Sequence, residues 1–354
     1  MLPRMTSTAT TDIPIFDGHN DSLTHEDHDK LVGGKPGGHL DFPRMRAGGV
    51  RAAVFAAFTP SDGARHEVVA RDDGAVEWAQ SPPVDQARAA SVTNSVAGRL
   101  LALERAGAVR IAREIADIDR AATEPAAPPT AVMHFEGAEA IETGLEALDA
   151  YYAAGLRSLG PVWSRPNYFA NGVPFIFPSS PDTGPGLTEF GKGLVSRCAQ
   201  LGILVDLAHM NEAGFWDTAC LELGPLVVSH AGAHAVSSCS RNLTDRQLDA
   251  IADSGGLIGI VFACPFVRPD FGDDPATTPL SAIVQHVRYV ADRIGIEHVA
   301  FGSDFDGATV PDALGGVDGY PKLIDALRED GFSEPEIRAI AWDNWRRVLD
   351  LWWR

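Results

Sequence analysis

The chain has 354 residues, 45% of them hydrophobic and 22% charged, a globular composition that excludes a disordered or collagen-like protein. Lys and Arg number 29 against 48 Asp and Glu, giving a formal charge of −19 that repels phosphate backbones and argues against a nucleic-acid partner. No apolar run approaches the roughly 20 residues that span a bilayer, so no membrane partner is expected.

Residues 1–12 (MLPRMTSTATTD) are small and polar, without the apolar stretch of a secretory signal. They read as a flexible tail ahead of one domain, 13–354. Cys198, Cys220, Cys239 and Cys264 show no CxxC spacing. They read as reduced thiols rather than a disulfide framework or a structural zinc site, which gives a cytoplasmic location.

Apolar runs with strand character follow at 13–21, 51–58, 130–137, 155–163, 203–209, 225–230, 256–263 and 298–304. Most are nearly continuous, as in parallel strands covered on both faces. Helical patterns lie between, at 186–200, 211–222 and 244–254, the last opening on Thr244 and Asp245 as a capped start. Strands alternating with helices in this number predict an α/β fold, a single (β/α)8 TIM-like barrel. No GxGxxG follows the first run, which argues against a dinucleotide-binding sheet. Two segments exceed a simple βα unit, 59–95 and the Pro/Gly-rich 164–185. In a barrel such insertions sit on the catalytic face and shape the pocket.

The first run ends Asp17-Gly18-His19-Asn20-Asp21. Residues two apart on a strand share a face, so His19 and Asp21 can offer an imidazole and a carboxylate to one ion. The third run ends at Glu136, the fifth at His209, the sixth at His230 and the eighth at Asp304, with Asp306 beyond. Metal-ligand types thus converge on one barrel mouth. A single catalytic zinc needs three protein ligands, and this set exceeds that. Two ions need a bridging anion, and none of the four lysines sits at a strand end to supply a carboxylated one. Glu136 is the natural bridge: His19, Asp21 and Glu136 for one ion, Glu136, His209 and His230 for the other, with a water or hydroxide completing it.

With DGHND (17–21), FEG (135–137), DLAH (206–209), SHAGAH (229–234), SRN (240–242), GSDFDG (302–307) and DNWRRVL (343–349) in this order, the chain resembles the renal (membrane) dipeptidase family, metal-dependent barrel enzymes of the amidohydrolase superfamily. The resemblance implies a dinuclear zinc site on His19, Asp21, Glu136, His209 and His230. It implies that Arg241 binds the substrate carboxylate, that Asp304 handles protons, and that a homodimer is to be expected. The chain departs from the family where GVRxxxLTHN usually follows the fourth strand: its His falls on Trp163. An indole N–H donates one hydrogen bond but does not ionise as an imidazole does. Trp163 is therefore read as lining the substrate pocket.

Other residues read as supporting. His134 lies a layer deeper, as a hydrogen-bonded core histidine. His234 follows His230 at helical spacing. His25, His28 and His39 fall in a Gly-rich solvated loop. His66, His286 and His298 read as surface or packing residues, and Asp306 as holding its turn or Arg241. The reading is a metal-dependent dipeptidase that cleaves small dipeptides, L-Xaa-D-Xaa among them, through a metal-bridging hydroxide. Two alternatives stay open: another amidohydrolase acting on a lactam, lactone or N-acyl amino acid, and a metal-stabilised binding protein without turnover.

Overall fold

Each apolar run forms a strand over part of its length. In the computed structural model these are β1 (Ile15–Asn20), β2 (Val50–Phe58), β3 (Thr130–Glu136), β4 (Leu156–Gly160), β5 (Leu204–Val205), β6 (Val227–Ala231), β7 (Leu257–Ile260) and β8 (Val299–Phe301). The structure describes residues 13–61, 67–79 and 81–353; the expected tail at 1–12 and His66 lie outside the described residues.

The neighbouring strands pair in parallel, β1 to β5 in one sheet and β6 to β8 in a second. Isolated parallel bridges link Asp206 to Val227 and Asn20 to Phe305 at the two seams. The result is an α/β fold around a curled parallel sheet. β5 is shorter than its apolar run. Beyond it Asp206 Oδ1 accepts the Ala208 N–H and His209 takes φ 64°, a left-handed conformation that ends a strand.

Helices lie where their periodicity places them, at Glu189–Leu201, Glu212–Ala219 and Asp245–Asp253. Thr188 and Asn211 cap the first two with side-chain oxygens, and Thr244 with Gln247 forms a capping box on the third. The DNWRRVL motif starts the last helix, Asn344–Trp352. The Asn344 amide donates to the Ile296 and Val299 carbonyls, and the Trp345 indole donates to Phe301 and stacks on Phe16 at 5.3 Å. The helix thus packs over the β8–β1 seam, close enough that a Cβ at Gly18 would overlap the Trp345 ring.

The two long segments meet each other. Val68–Ala70 and Val76–Trp78 come from the first and Ile176–Phe177 from the second, and they form a three-stranded antiparallel sheet. From Gln86 onward the first segment is helix, Gln86–Arg105, so the insertion proper is shorter than 59–95. Phe175 joins this sheet to the mouth of the parallel strands through Trp78, Trp163 and Phe266. Among the described residues no helix is long and apolar enough to cross a membrane. All four cysteines are free.

Candidate metal centre

The strand ends bring the ligand-type side chains together at the C-terminal edge of the parallel sheet. His19 and Glu136 are the last inward-facing groups of β1 and β3, and His230 belongs to β6. His209 and Asp304 follow β5 and β8, both with left-handed backbone, φ 64° and 63°. Non-glycine residues rarely hold that conformation.

Glu136 is the hub. Its Oε1 lies 3.0 Å from His209 Nε2 and 3.6 Å from both His19 Nε2 and His230 Nε2. His209 and His230 approach each other at 3.0 Å through Nε2. His19 Nε2 is 3.4 Å from Asp21 Oδ2. Asp304 joins the His19–Asp21 side, and ligand atoms of His19, Asp21 and Asp304 lie within 4.8 Å of one another, as do those of His19, Glu136 and His230. All of these side chains are buried. A Cβ at Gly307 would overlap both Asp21 Oδ2 and Asp304 Oδ1, so only glycine leaves room for two carboxylates to converge there.

Protein groups alone leave this cluster electrostatically unbalanced. Burial pushes Glu136 well above the usual carboxylate range, against the pull of His19. Burial also raises Asp304, to about 6, with His19 opposing and Asp21 adding. Burial works against a charged His19, yet Glu136, Asp21 and Asp304 outweigh it and lift that imidazole to about 10. Burial lowers His209 and His230 well below the ordinary value, and the Arg241 and His19 charges push the same way. His19 Nδ1 and Nε2, Asp21 Oδ1 and Arg241 Nε are buried without a hydrogen bond. Buried polar atoms are seldom left so, and imidazole and carboxylate donors of this kind suit divalent ions.

Arg241 is buried beside the cluster and donates through Nη2 to the His230 carbonyl at 2.7 Å. Trp163 lies at the mouth, its ring 5.6 Å from His209 and between Phe58 at 5.0 Å and Phe175 at 5.7 Å. His134 sits below His19 and pairs with the Ser158 hydroxyl at 2.9 Å. His234 turns away to the Ser179 carbonyl.

Asp306 does not hold Arg241. Its carboxylate accepts from Ser22 Oγ, Lys35 Nζ and the His39 N–H at 2.7, 3.1 and 2.7 Å. His25 Nε2 donates to its carbonyl at 2.6 Å, and its own N–H donates to His39 Nδ1. The segment after β1, read as a solvated loop, is therefore clasped to the turn that carries Asp304.

Several supporting residues escaped the sequence. Ser164 faces His209 Nδ1, Asp206 and Ser229 stand behind His230, and Arg165 pairs with Glu139. Asp206 and Ser229 lie inside quoted motifs, but nothing in their spacing separates them from turn residues.

An α/β protein whose parallel strands end in such an imidazole and carboxylate cluster has the make-up of a metallohydrolase. The profile of the membrane dipeptidase family, peptidase family M19, matches residues 4–351. A metallo peptidase from Rhodobacter sphaeroides, solved with a phosphinate mimic of the dipeptide L-Ala-D-Ala, is 40% identical, with TM-score 0.89 over 96% of this chain and 99% of that one. The dipeptidase AC, a metallo peptidase of family M19, is 41% identical, with TM-score 0.88 over 97% and 99%. An uncharacterized protein in the pqqA 5′ region of Klebsiella pneumoniae is 46% identical over 249 residues, 70% of this chain and 91% of that protein. The chain belongs to the membrane dipeptidase family, amidohydrolase-like metallopeptidases.

Proposed function

We propose that this metallo dipeptidase cleaves dipeptides, L-Xaa-D-Xaa among them, with two divalent ions, zinc by preference, held at the mouth of a single (β/α)8 barrel domain, 13–354. The seam bridges Asp206–Val227 and Asn20–Phe305 support barrel closure. The L-Ala-D-Ala mimic in the Rhodobacter sphaeroides peptidase supports the substrate class. The observation that carries the metal reading is the set of buried, unpaired ligand atoms on His19 and Asp21 beside the Glu136 hub.

His19, Asp21 and Glu136 would hold one ion, and Glu136, His209 and His230 the other. Ions bound there supply Lewis acidity and lower the pKa of water. Asp304, beside His19 and Asp21, takes the proton released as water adds to the peptide carbonyl and returns it to the departing amine. Arg241 is pinned through Nη2 to the His230 carbonyl, and its guanidinium, held beside the cluster, is the partner for the substrate's C-terminal carboxylate. Trp163 walls the pocket beside His209.

The test is metal content per chain, measured together with hydrolysis of L-Ala-D-Ala, L-Ala-L-Ala, an N-acetyl amino acid and a lactone. About two ions per chain and dipeptide cleavage are expected. Cleavage of the acyl amino acid or the lactone without dipeptides would move the protein to another amidohydrolase activity. Metal uptake with no turnover at all would make it a binding protein.

A further inference from the structure

His209 and His230 both turn Nε2 toward Glu136 and Nδ1 toward a serine hydroxyl, but the two serines differ. Ser229 Oγ lies 2.8 Å from His230 Nδ1 and also donates to Asp206 Oδ2. Ser164 Oγ lies 2.8 Å from His209 Nδ1 and has no second partner among the described residues. A hydroxyl carries one proton. At Ser229 that proton goes to Asp206, whose other oxygen already accepts the Ser229 and Ala208 backbone N–H groups at 2.8 and 3.0 Å. The hydroxyl oxygen is left to accept from His230. The imidazole proton then sits on Nδ1, and the Nε2 lone pair faces Glu136. Asp206, Ser229 and His230 are all buried.

We infer that Asp206 and Ser229 are positioning residues that fix the tautomer of His230, keeping its Nε2 open to a cation, while the lone Ser164 hydroxyl leaves His209 free to take either form. The inference rests on the metal reading above. Partners behind a metal-binding histidine act by fixing its tautomer and orientation, and their loss typically weakens metal affinity by about 10- to 100-fold.

The isosteric variant Asp206→Asn separates this from simple support. Its carbonyl oxygen must stay where the two backbone N–H groups point, so its NH2 faces Ser229. The hydroxyl then accepts from the amide and turns its own proton to His230 Nδ1. The imidazole proton is driven to Nε2 and aimed into the cluster. Ser229→Ala instead leaves His230 free to choose.

The test is zinc affinity of the full chain by chelator competition, for the wild type, Ser229→Ala, Asp206→Asn, the double variant and Ser164→Ala. We expect Ser229→Ala to weaken one ion by about 10-fold and Asp206→Asn by about 100-fold. The double variant should return to the Ser229→Ala level, because no hydroxyl remains to carry the inverted proton. Ser164→Ala should change least. Nitrogen chemical shifts of isotope-labelled histidine in zinc-free protein should report Nδ1–H for wild-type His230 and Nε2–H in Asp206→Asn. Losses that sum in the double variant, or wild-type His230 protonated on Nε2, would overturn the relay. A wild-type chain that takes up no zinc would overturn the metal reading instead, and the histidine spectrum would still decide the tautomer.

Discussion

Arg165 Nε donates to Glu139 Oε1 at 2.8 Å with both side chains buried. The same guanidinium donates to Ser61 Oγ at 3.0 Å and to the Thr59 carbonyl at 2.8 Å, and its carbon lies 5.2 Å from the rings of both Phe58 and Trp163. One side chain therefore ties the segments after β2, β3 and β4 beneath Trp163 and next to Ser164. Removing one partner of a buried pair strands the other charge, which costs about 3–5 kcal/mol. Arg165→Met should lose that much, and Arg165→Met with Glu139→Leu less than the two single changes together. Chemical denaturation of the four proteins measures it, and strictly additive losses would contradict the coupling.

The clasp on Asp306 predicts a link between a remote loop and the chemistry. Lys35 is buried and reaches Asp306 at 3.1 Å and Asp27 at 3.3 Å. Lys35→Met should loosen the segment from Ser22 to Asp41 and let the turn bearing Asp304 drift. Small displacements of a reacting group can lower rate by up to about 10²-fold. Faster proteolysis within that segment, together with a reduced kcat, is expected, and Lys35→Arg should restore part of both. A loosened segment with unchanged kcat would separate the clasp from Asp304.

The roles proposed for Arg241 and Asp304 separate binding from chemistry. A carboxylate grip exists in both the ground and transition states, so Arg241→Ala should raise KM strongly and lower kcat less. Lys at that position should rescue only in part, since it lacks the fork. Amidating the dipeptide C-terminus should mimic Arg241→Ala and add little to it. Asp304→Asn should leave metal content and KM near normal while kcat falls by roughly 10²–10⁴. Equal hydrolysis of free and amidated dipeptides would remove the role given to Arg241.

Acid sensitivity has an identifiable contributor away from the site. His286 is buried, its Nδ1 accepting the Ala233 N–H at 2.8 Å and its Nε2 facing the Val267 carbonyl at 3.2 Å. Burial lowers its pKa from 6.5 to about 4. The unfolded chain thus binds this proton at a higher pH than the folded one does. Its contribution is full above about pH 6.5 and is lost as pH falls toward 4, by up to about 3 kcal/mol. Denaturant unfolding between pH 7 and 5 should show a shallower fall in His286→Gln than in the wild type. Identical slopes would rule His286 out.

The sequence by itself determined the strands and the residues that meet at their ends. Parallel strands covered on both faces must be apolar throughout, so their runs stand out without any partner being known. The two-residue period of an extended chain puts His19 and Asp21 on one face, and strand ends that share one sheet edge bring Glu136, His209, His230 and Asp304 to them. Tertiary structure alone decided what holds these groups. Val76–Trp78 meets Ile176–Phe177 across about a hundred residues, Asp306 is gripped from the segment after β1, and Arg165 collects partners from two other loops. Such contacts leave no local period, because a polar side chain in a loop reads the same whether water or a distant carboxylate completes it. The unequal serines behind His209 and His230 are the sharpest case: both are single hydroxyls in the sequence, and only the fold places Asp206 behind one of them.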